Sequence, residues 1–288
     1  MSSSSNNYAL NLRKFNMGKI KKDSVIVMIG KRNTGKSFLT KDMLYFHQDI
    51  PSGVVISATE QVNKFYSEFV PPIFIHDEFD EQIVDCVMKR QIKQIETKKK
   101  EEKMNGGFSN RNIKSFVIFD DCLYDDSWSK SKLVRALFMN GRHYKIMFIL
   151  TMQYALGVPP SLRTNIDYVF ILRENILNNR KKIWEHYAGI FPNFPMFCSI
   201  MDQCTNNYEC LVIDNTVQSN RLEDCVFWYK ADNRPDYRLC SRRCWEYSKN
   251  HYNTKSKDNE KKYDKNTFQS KSRNKPIINV RKYGEFSN

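Results

Sequence analysis

The segment Gly30-Lys31-Arg32-Asn33-Thr34-Gly35-Lys36-Ser37 restricts the fold more than any other part of the chain. It fills every fixed position of the G-x-x-x-x-G-K-[ST] pattern, which needs a strand before it and a helix after it. Both are expected here. Ser24–Ile29 (Ser-Val-Ile-Val-Met-Ile) is a short apolar run of the kind buried on both faces of a parallel sheet. A helix is expected from about Lys36 to Phe46. Glycines at both ends of the loop let successive N–H groups point inward at phosphate oxygens, and the helix adds its positive end. Residues Gly30 through Phe38 are therefore the expected nucleotide cradle. Lys36 is placed to reach the β and γ phosphates, and the Ser37 hydroxyl to ligate Mg²⁺.

The same grammar repeats downstream. Val54–Ser57 follows the Pro51-Ser52-Gly53 turn as a second strand, and Ile73–Ile75 is a weaker candidate after Pro71-Pro72. Phe79–Lys103 reads as a helix, amphipathic first and then purely charged. Phe116–Phe119, Lys145–Leu150 and Tyr168–Leu172 are further strands. Helices are expected near Ser131–Met139, Ile176–Tyr187 and Met196–Met201, with late strands at Glu209–Ile213 and Cys225–Tyr229. Short apolar strands alternating with helices specify an α/β domain with a mainly parallel sheet. Functional groups in such sheets collect at the C-terminal strand ends. Lys36, Asp120, Asp121 and Gln153 all fall just after expected strands.

Asp120 fits the role of holding Mg²⁺ through its water shell. Asp121 then orients or deprotonates the attacking water, or else caps the next turn. Many nucleotide hydrolases carry Glu at this second position, and Asp is one methylene shorter. Gln153, in Thr151-Met152-Gln153, can hydrogen-bond the γ phosphate or the water.

At 288 residues the chain allows one large or two small domains. An apolar fraction of 41% excludes a wholly disordered chain. No run approaches the ~18 apolar residues of a spanning helix. The net charge of +14 favours polyanionic partners, nucleic acid first. Half of that excess lies in residues 248–288, where eleven Lys/Arg meet four Asp/Glu in a polar stretch without periodicity. That tail is expected to be disordered. The expected organisation is a flexible 1–19, an ATPase domain over 20–235, a boundary within 236–247 and the basic tail. Eight scattered cysteines fit free thiols in a reducing compartment. Cys198, Cys204 and Cys210, or Cys240 and Cys244, lack the closely paired spacing of a zinc site. Trp228, Tyr229, Trp245 and Tyr247 are expected in core or edge-strand packing.

With these pieces in order, the chain resembles the FtsK–HerA superfamily of P-loop ATPases, in particular the poxvirus-type genome-packaging ATPases of large nucleocytoplasmic DNA viruses. The likeness is carried by Gly30–Ser37, by Ile118-Phe119-Asp120-Asp121-Cys122, by the run from Asn140 to Gln153, and by Pro159-Pro160-Ser161-Leu162-Arg163-Thr164 continuing to Phe170. It covers roughly residues 20–230. The resemblance implies a three-layer P-loop fold of the ASCE type, in which another strand separates the acidic strand from the phosphate-loop strand. It implies Mg-dependent ATP hydrolysis, double-stranded DNA as partner, and a homo-oligomeric ring, hexameric by likeness. Capsid or membrane-associated virion proteins are further implied partners, and the cytoplasmic assembly site of an infected cell, or the virion, is the implied location. Arg142 occupies the place of an arginine that reaches a neighbouring subunit's nucleotide; Arg163 is a second candidate. Lys98–Arg111 has the charge of a pore loop but reads more simply as a solvated helix end and its turn.

Other classes remain to be weighed. A P-loop kinase needs an Arg-rich lid, and the stretch between Asp121 and Gln153 offers none. A GTP-dependent switch wants an N-K-x-D tetrapeptide, which the sequence lacks. A helicase of the same superfamily is separated from a duplex translocase only by assay.

Overall fold

A computed structural model describes residues 10–122 and 127–260. In chain order the elements are β1 (Arg13–Lys14), β2 (Val25–Ile29), α1 (Lys36–Tyr45), β3 (Gly53–Ser57), α2 (Glu60–Asn63), β4 (Ile75–His76), α3 (Glu81–Met104) and β5 (Ser115–Asp120). They continue with α4 (Ser127–Lys130), α5 (Lys132–Asn140), β6 (Ile146–Met152), α6 (Pro160–Arg163), β7 (Tyr168–Ile171), α7 (Leu177–Tyr187) and α8 (Phe194–Cys204). The chain then forms β8 (Glu209–Asp214), α9 (Leu222–Cys225), β9 (Val226–Lys230) and α10 (Arg242–Glu260).

One nine-stranded sheet runs in the order β1-β9-β8-β7-β2-β6-β5-β3-β4. All pairings are parallel except those of β8, which lies antiparallel to β7 and β9. β6 stands between β2 and β5, so the acidic strand is one strand removed from the phosphate-loop strand. The expected α/β, ASCE-type P-loop sheet is the one observed.

The central strands are apolar throughout because both faces are covered. Strand alternation sends Val25, Val27 and Ile29 to one face and Ile26 and Met28 to the other, and two separate cores result. The first core takes Val84 and Val87 of α3, Val134 and Leu137 of α5, Ile183 of α7 and Phe197 of α8. The second takes Leu39 and Met43 of α1 with Tyr66, Phe69 and Val70. Each fully buried aliphatic or aromatic side chain contributes on the order of 1.5–3 kcal/mol. Side-chain caps fix where the helices begin. Asp80 accepts from Gln82 N–H ahead of α3, and Ser131 accepts from Leu133 and Val134 N–H ahead of α5.

Two segments differ from the sequence expectation. Ile73–Ile75 is not a full strand: Pro72–Phe74 turns as a 3₁₀ helix and only Ile75–His76 pairs, because Pro71 and Pro72 lack the ladder donor. The basic tail is not disordered where it is described. α10 begins at Arg242, Ser248 is buried, and its hydroxyl accepts from Ile73 N–H at 3.2 Å. Trp245, expected in core or edge-strand packing, lies on this helix and donates its indole N–H to Leu239 O at 2.7 Å. Tyr247, held to the same expectation, is also on α10. A boundary at residue 248 therefore cuts a helix. Residues 1–9 and 261–288 lie outside the described part, with nearly half of the expected flexible terminus and most of the tail; the rest of that terminus is ordered, with Arg13–Lys14 paired to β9 and Phe15 and Met17 buried.

Candidate active site

Register brings the site together. β5 and β6 pair so that Asp120 stands opposite Thr151, and β2 and β6 pair so that Ile29 stands opposite Met152. The ends of these strands deliver the phosphate loop, the acidic pair and Gln153 to one pole of the sheet.

The loop is shaped by its glycines. A Cβ on Gly30 would lie 2.7 Å from Thr34 Oγ1 and 2.8 Å from Leu172 Cβ, so any side chain there displaces the loop. Gly35 caps α1 at φ +97°, a conformation that L residues avoid. Thr34 donates to Lys31 O at 2.7 Å, and Lys31 anchors the loop through an ion pair at 2.9 Å to the buried Glu174 after β7. Lys36 is 6% exposed. Its ammonium donates to Gly30 O at 2.8 Å and Lys31 O at 3.0 Å, which leaves one of three protons for another acceptor. Burial lowers its pKa, and Asp121 and Asp120 pull it back up. The loop carbonyls hold the ammonium, and the two nearby carboxylates favour its charged form.

Thr151 organises those carboxylates. Its hydroxyl donates to Asp120 Oδ1 at 2.5 Å and accepts from the Asp121 N–H at 3.1 Å. Ser37 donates to Asp120 Oδ2 at 3.2 Å. Gln153 donates to Asp121 Oδ2 at 2.6 Å, while Asp121 Oδ1 is buried without a partner among the described residues. Asp121 has φ +54°, a left-handed backbone that turns its carboxylate out of the strand and toward Gln153. Burial raises the pKa of Asp120, against the lowering hydrogen bonds from Thr151 and Ser37. A partly desolvated carboxylate of this kind gains strongly from a cation. The buried Tyr66 phenol and Cys122 thiol close off the site from below.

Lys36, Ser37, Asp120, Asp121 and Gln153 are therefore brought together by the fold. Arg142 and Arg163 do not join them. Arg142 precedes β6, at the opposite pole, and pairs with the buried Asp167, which also accepts from Val25 N–H at 2.8 Å. The seven residues of β6, at ~3.3 Å each, keep it roughly 23 Å from Gln153 in its own subunit. Arg163 donates to Val158 O at 2.8 Å and lies over the Tyr187 ring.

Sequence reasoning passed over three contributors. Thr151 could have been found as the lone hydroxyl in the otherwise apolar Ile146–Met152. Glu174 and Tyr208 carry no such local signal. Tyr208 is 70% exposed, and it and Asn207 both have positive φ. Its ring lies 3.5 Å from where a Gly35 Cβ would be. Because β8 is beyond β7, Tyr208 flanks the phosphate loop on the side away from Asp120.

The family model described as "Poxvirus A32 protein" matches residues 12–236, from just before β1 to beyond β9. The chain belongs to the poxvirus A32 protein family. An uncharacterized protein of Acanthamoeba polyphaga mimivirus is 38% identical to this A32-family chain over 243 residues, 84% of each protein. Another, from Invertebrate iridescent virus 6, is 41% identical over 241 residues, 82% of this chain and 89% of its own. Among solved structures, the genome packaging NTPase B204 of Sulfolobus turreted icosahedral virus 2, in complex with sulfate, is 15% identical. It covers 75% of this chain and all of its own, at a TM-score of 0.49. Family membership and the complete phosphate loop with its acidic strand make this A32-family protein a P-loop ATPase, of the viral branch that its sequence motifs indicated.

Proposed function

We propose that this A32-family ATPase hydrolyses ATP with Mg²⁺ to drive double-stranded DNA, packaging a viral genome in an infected cell. The observation that carries the chemical part is the hydrogen-bonded chain Ser37–Asp120–Thr151–Asp121–Gln153 beside the Lys36 ammonium. The donors at its centre are hard oxygens, the Ser37 hydroxyl and the Asp120 carboxylate, with a buried carboxylate oxygen of Asp121 lacking a partner among the described residues. That set suits Mg²⁺, and Ser37 and Asp120 would hold it. When bound, the ion neutralises charge building on the phosphates.

The chain's own groups do the rest. The loop N–H groups and Lys36 fix the triphosphate. Gln153 positions a water, and Asp121, freed from Gln153, takes its proton. Tyr208, exposed and beside Gly35 on the side of the loop away from Asp120, would offer the base a stacking surface. A neighbouring subunit's arginine, Arg142 or Arg163, completes the site in a ring. Virion proteins at the assembly site would then present the capsid.

The test is ATP hydrolysis with and without duplex DNA, beside Lys36→Ala. Loss in the variant and several-fold stimulation of the wild type by duplex are expected. Lys36-dependent hydrolysis indifferent to DNA would remove the motor and leave the ATPase. For the finger, Arg142→Ala and Arg163→Ala are compared in assembled protein. The true finger's loss abolishes turnover while ATP binding stays intact.

A further inference from the structure

The sheet has a second pole. Where β2, β5 and β6 begin, three separate segments enclose an open cleft of about 760 Å³. The stretch leading into β2 supplies Lys19, Lys21 and Lys22. The stretch between α3 and β5 supplies Arg111 and Lys114, and the turn before β6 supplies Lys145. Lys98, on α3, adds a seventh cation, and Asp23 is the one acid in the lining.

Four of these cations have acidic partners. Lys22 pairs with Asp49, Arg111 with Glu101, Lys145 with Asp23 at 3.6 Å, and Lys98 with Glu102 at 4.0 Å. Lys19, Lys21 and Lys114 make no ion pair among the described residues. The positive excess is felt beneath the surface: burial first, then Lys22, depresses the pKa of the enclosed His47 to about 4, and Lys114 adds to the effect. Lys145 is held at φ +59°, and the sheet fixes it there, since its carbonyl accepts from Ser115 N–H at 3.0 Å.

We propose that this cleft binds the phosphate backbone of duplex DNA. Its cations come from three separate segments around an open cleft, which suits a line of phosphates more than a single anion. Six of the seven are lysines, point charges that bind phosphate without reading bases, as a sequence-independent substrate requires. Lys19, Lys21 and Lys114 supply the uncompensated charge for counterion release. The stretch Lys98–Arg111 thereby acquires a role: Arg111 and Lys98 form one wall, fixed by Glu101 and Glu102 of α3. The five to seven residues of β2, β5 and β6 set the cleft roughly 17–23 Å from the phosphate loop, on the strands that carry it. The inference rests on DNA being the substrate of the motor.

The test uses the full chain, a 30-base-pair duplex and fluorescence anisotropy between 50 and 200 mM salt. Lys21→Glu/Lys114→Glu is compared with Lys261→Glu/Lys265→Glu, which changes net charge equally in the tail. The cleft variant is expected to bind at least ~10-fold more weakly, with a salt slope smaller by about two. The tail variant should lose far less. DNA-free ATP hydrolysis and the melting temperature should stay at wild-type values in both, which reads the ATPase separately from the cleft. Equal losses in the two variants, wild-type binding by the cleft variant, or no duplex binding by the wild type would each overturn the proposal.

Discussion

The two poles of the sheet handle charge in opposite ways. At the C-terminal pole the ionised groups are few and closely held: Asp120 and Asp121 share hydrogen bonds with Ser37, Thr151 and Gln153, and the buried Lys36 ammonium is fixed beside them by the Gly30 and Lys31 carbonyls. At the N-terminal pole the cations are many and open to solvent, and three lack acidic partners among the described residues. Burial makes each interaction strong and dependent on geometry, as bond-breaking requires. Exposure makes each weak and salt-screened, but additive over many phosphates. On the reading proposed above, one sheet would carry a short-range site and a long-range one, joined by the same three strands.

The sharpest way to break that contrast is Lys36→Ala. Losing the buried cation should lower ATP turnover by roughly 100-fold or more, on the scale of removing one transition-state donor, while duplex binding stays unchanged. A steady-state assay beside anisotropy reads both; if duplex binding falls with turnover, the poles are not separate.

His47 offers the next largest effect. Both its ring nitrogens are buried without partners among the described residues, and its pKa lies near 4 in the folded chain. The unfolded chain binds a proton below about 6.5 and the folded chain only below about 4. Stability is therefore lost as pH falls through that window, by roughly 3 kcal/mol at most. His47→Leu should flatten the pH dependence of urea unfolding between pH 6.5 and 4. An unchanged slope would show that the imidazole protonates as freely folded as unfolded.

Gln153→Ala leaves Asp121 without its side-chain donor. Turnover should fall by roughly 10- to 100-fold with ATP affinity little altered. A rise in KM with intact kcat would instead make Gln153 a binding group. Smallest is Tyr208→Ala, expected to weaken ATP about tenfold while the affinity for inorganic tripolyphosphate holds, and Tyr208→Phe should restore it. Equal weakening of both ligands would place the effect in the loop and not in the base.

Much of the catalytic pole was legible because its residues follow apolar strands directly. Gly30 to Ser37, Asp120, Asp121 and Gln153 needed only the rule that strand ends in a parallel sheet converge. The rest was not. Arg142 stands a few residues before β6 in sequence, yet a seven-residue strand puts it at the far end. Tyr208 reaches Gly35 only because β8 joins the sheet beyond β7, and nothing near Tyr208 in the chain signals it. The α10 helix was hidden by a composition typical of disorder, its anchors being a few residues such as Trp245, Tyr247, which stacks on Phe74, and Ser248.

The sequence by itself determined the strands, the phosphate loop and the acidic pair, because alternation, apolar runs and glycine placement act over a few residues. Only the tertiary structure decided that Thr151 would hold both carboxylates, that Tyr208 would flank the loop, and that cations from three distant segments would share one cleft. Those outcomes depend on strand order and register, which are set by the packing of the whole sheet between its two helical layers.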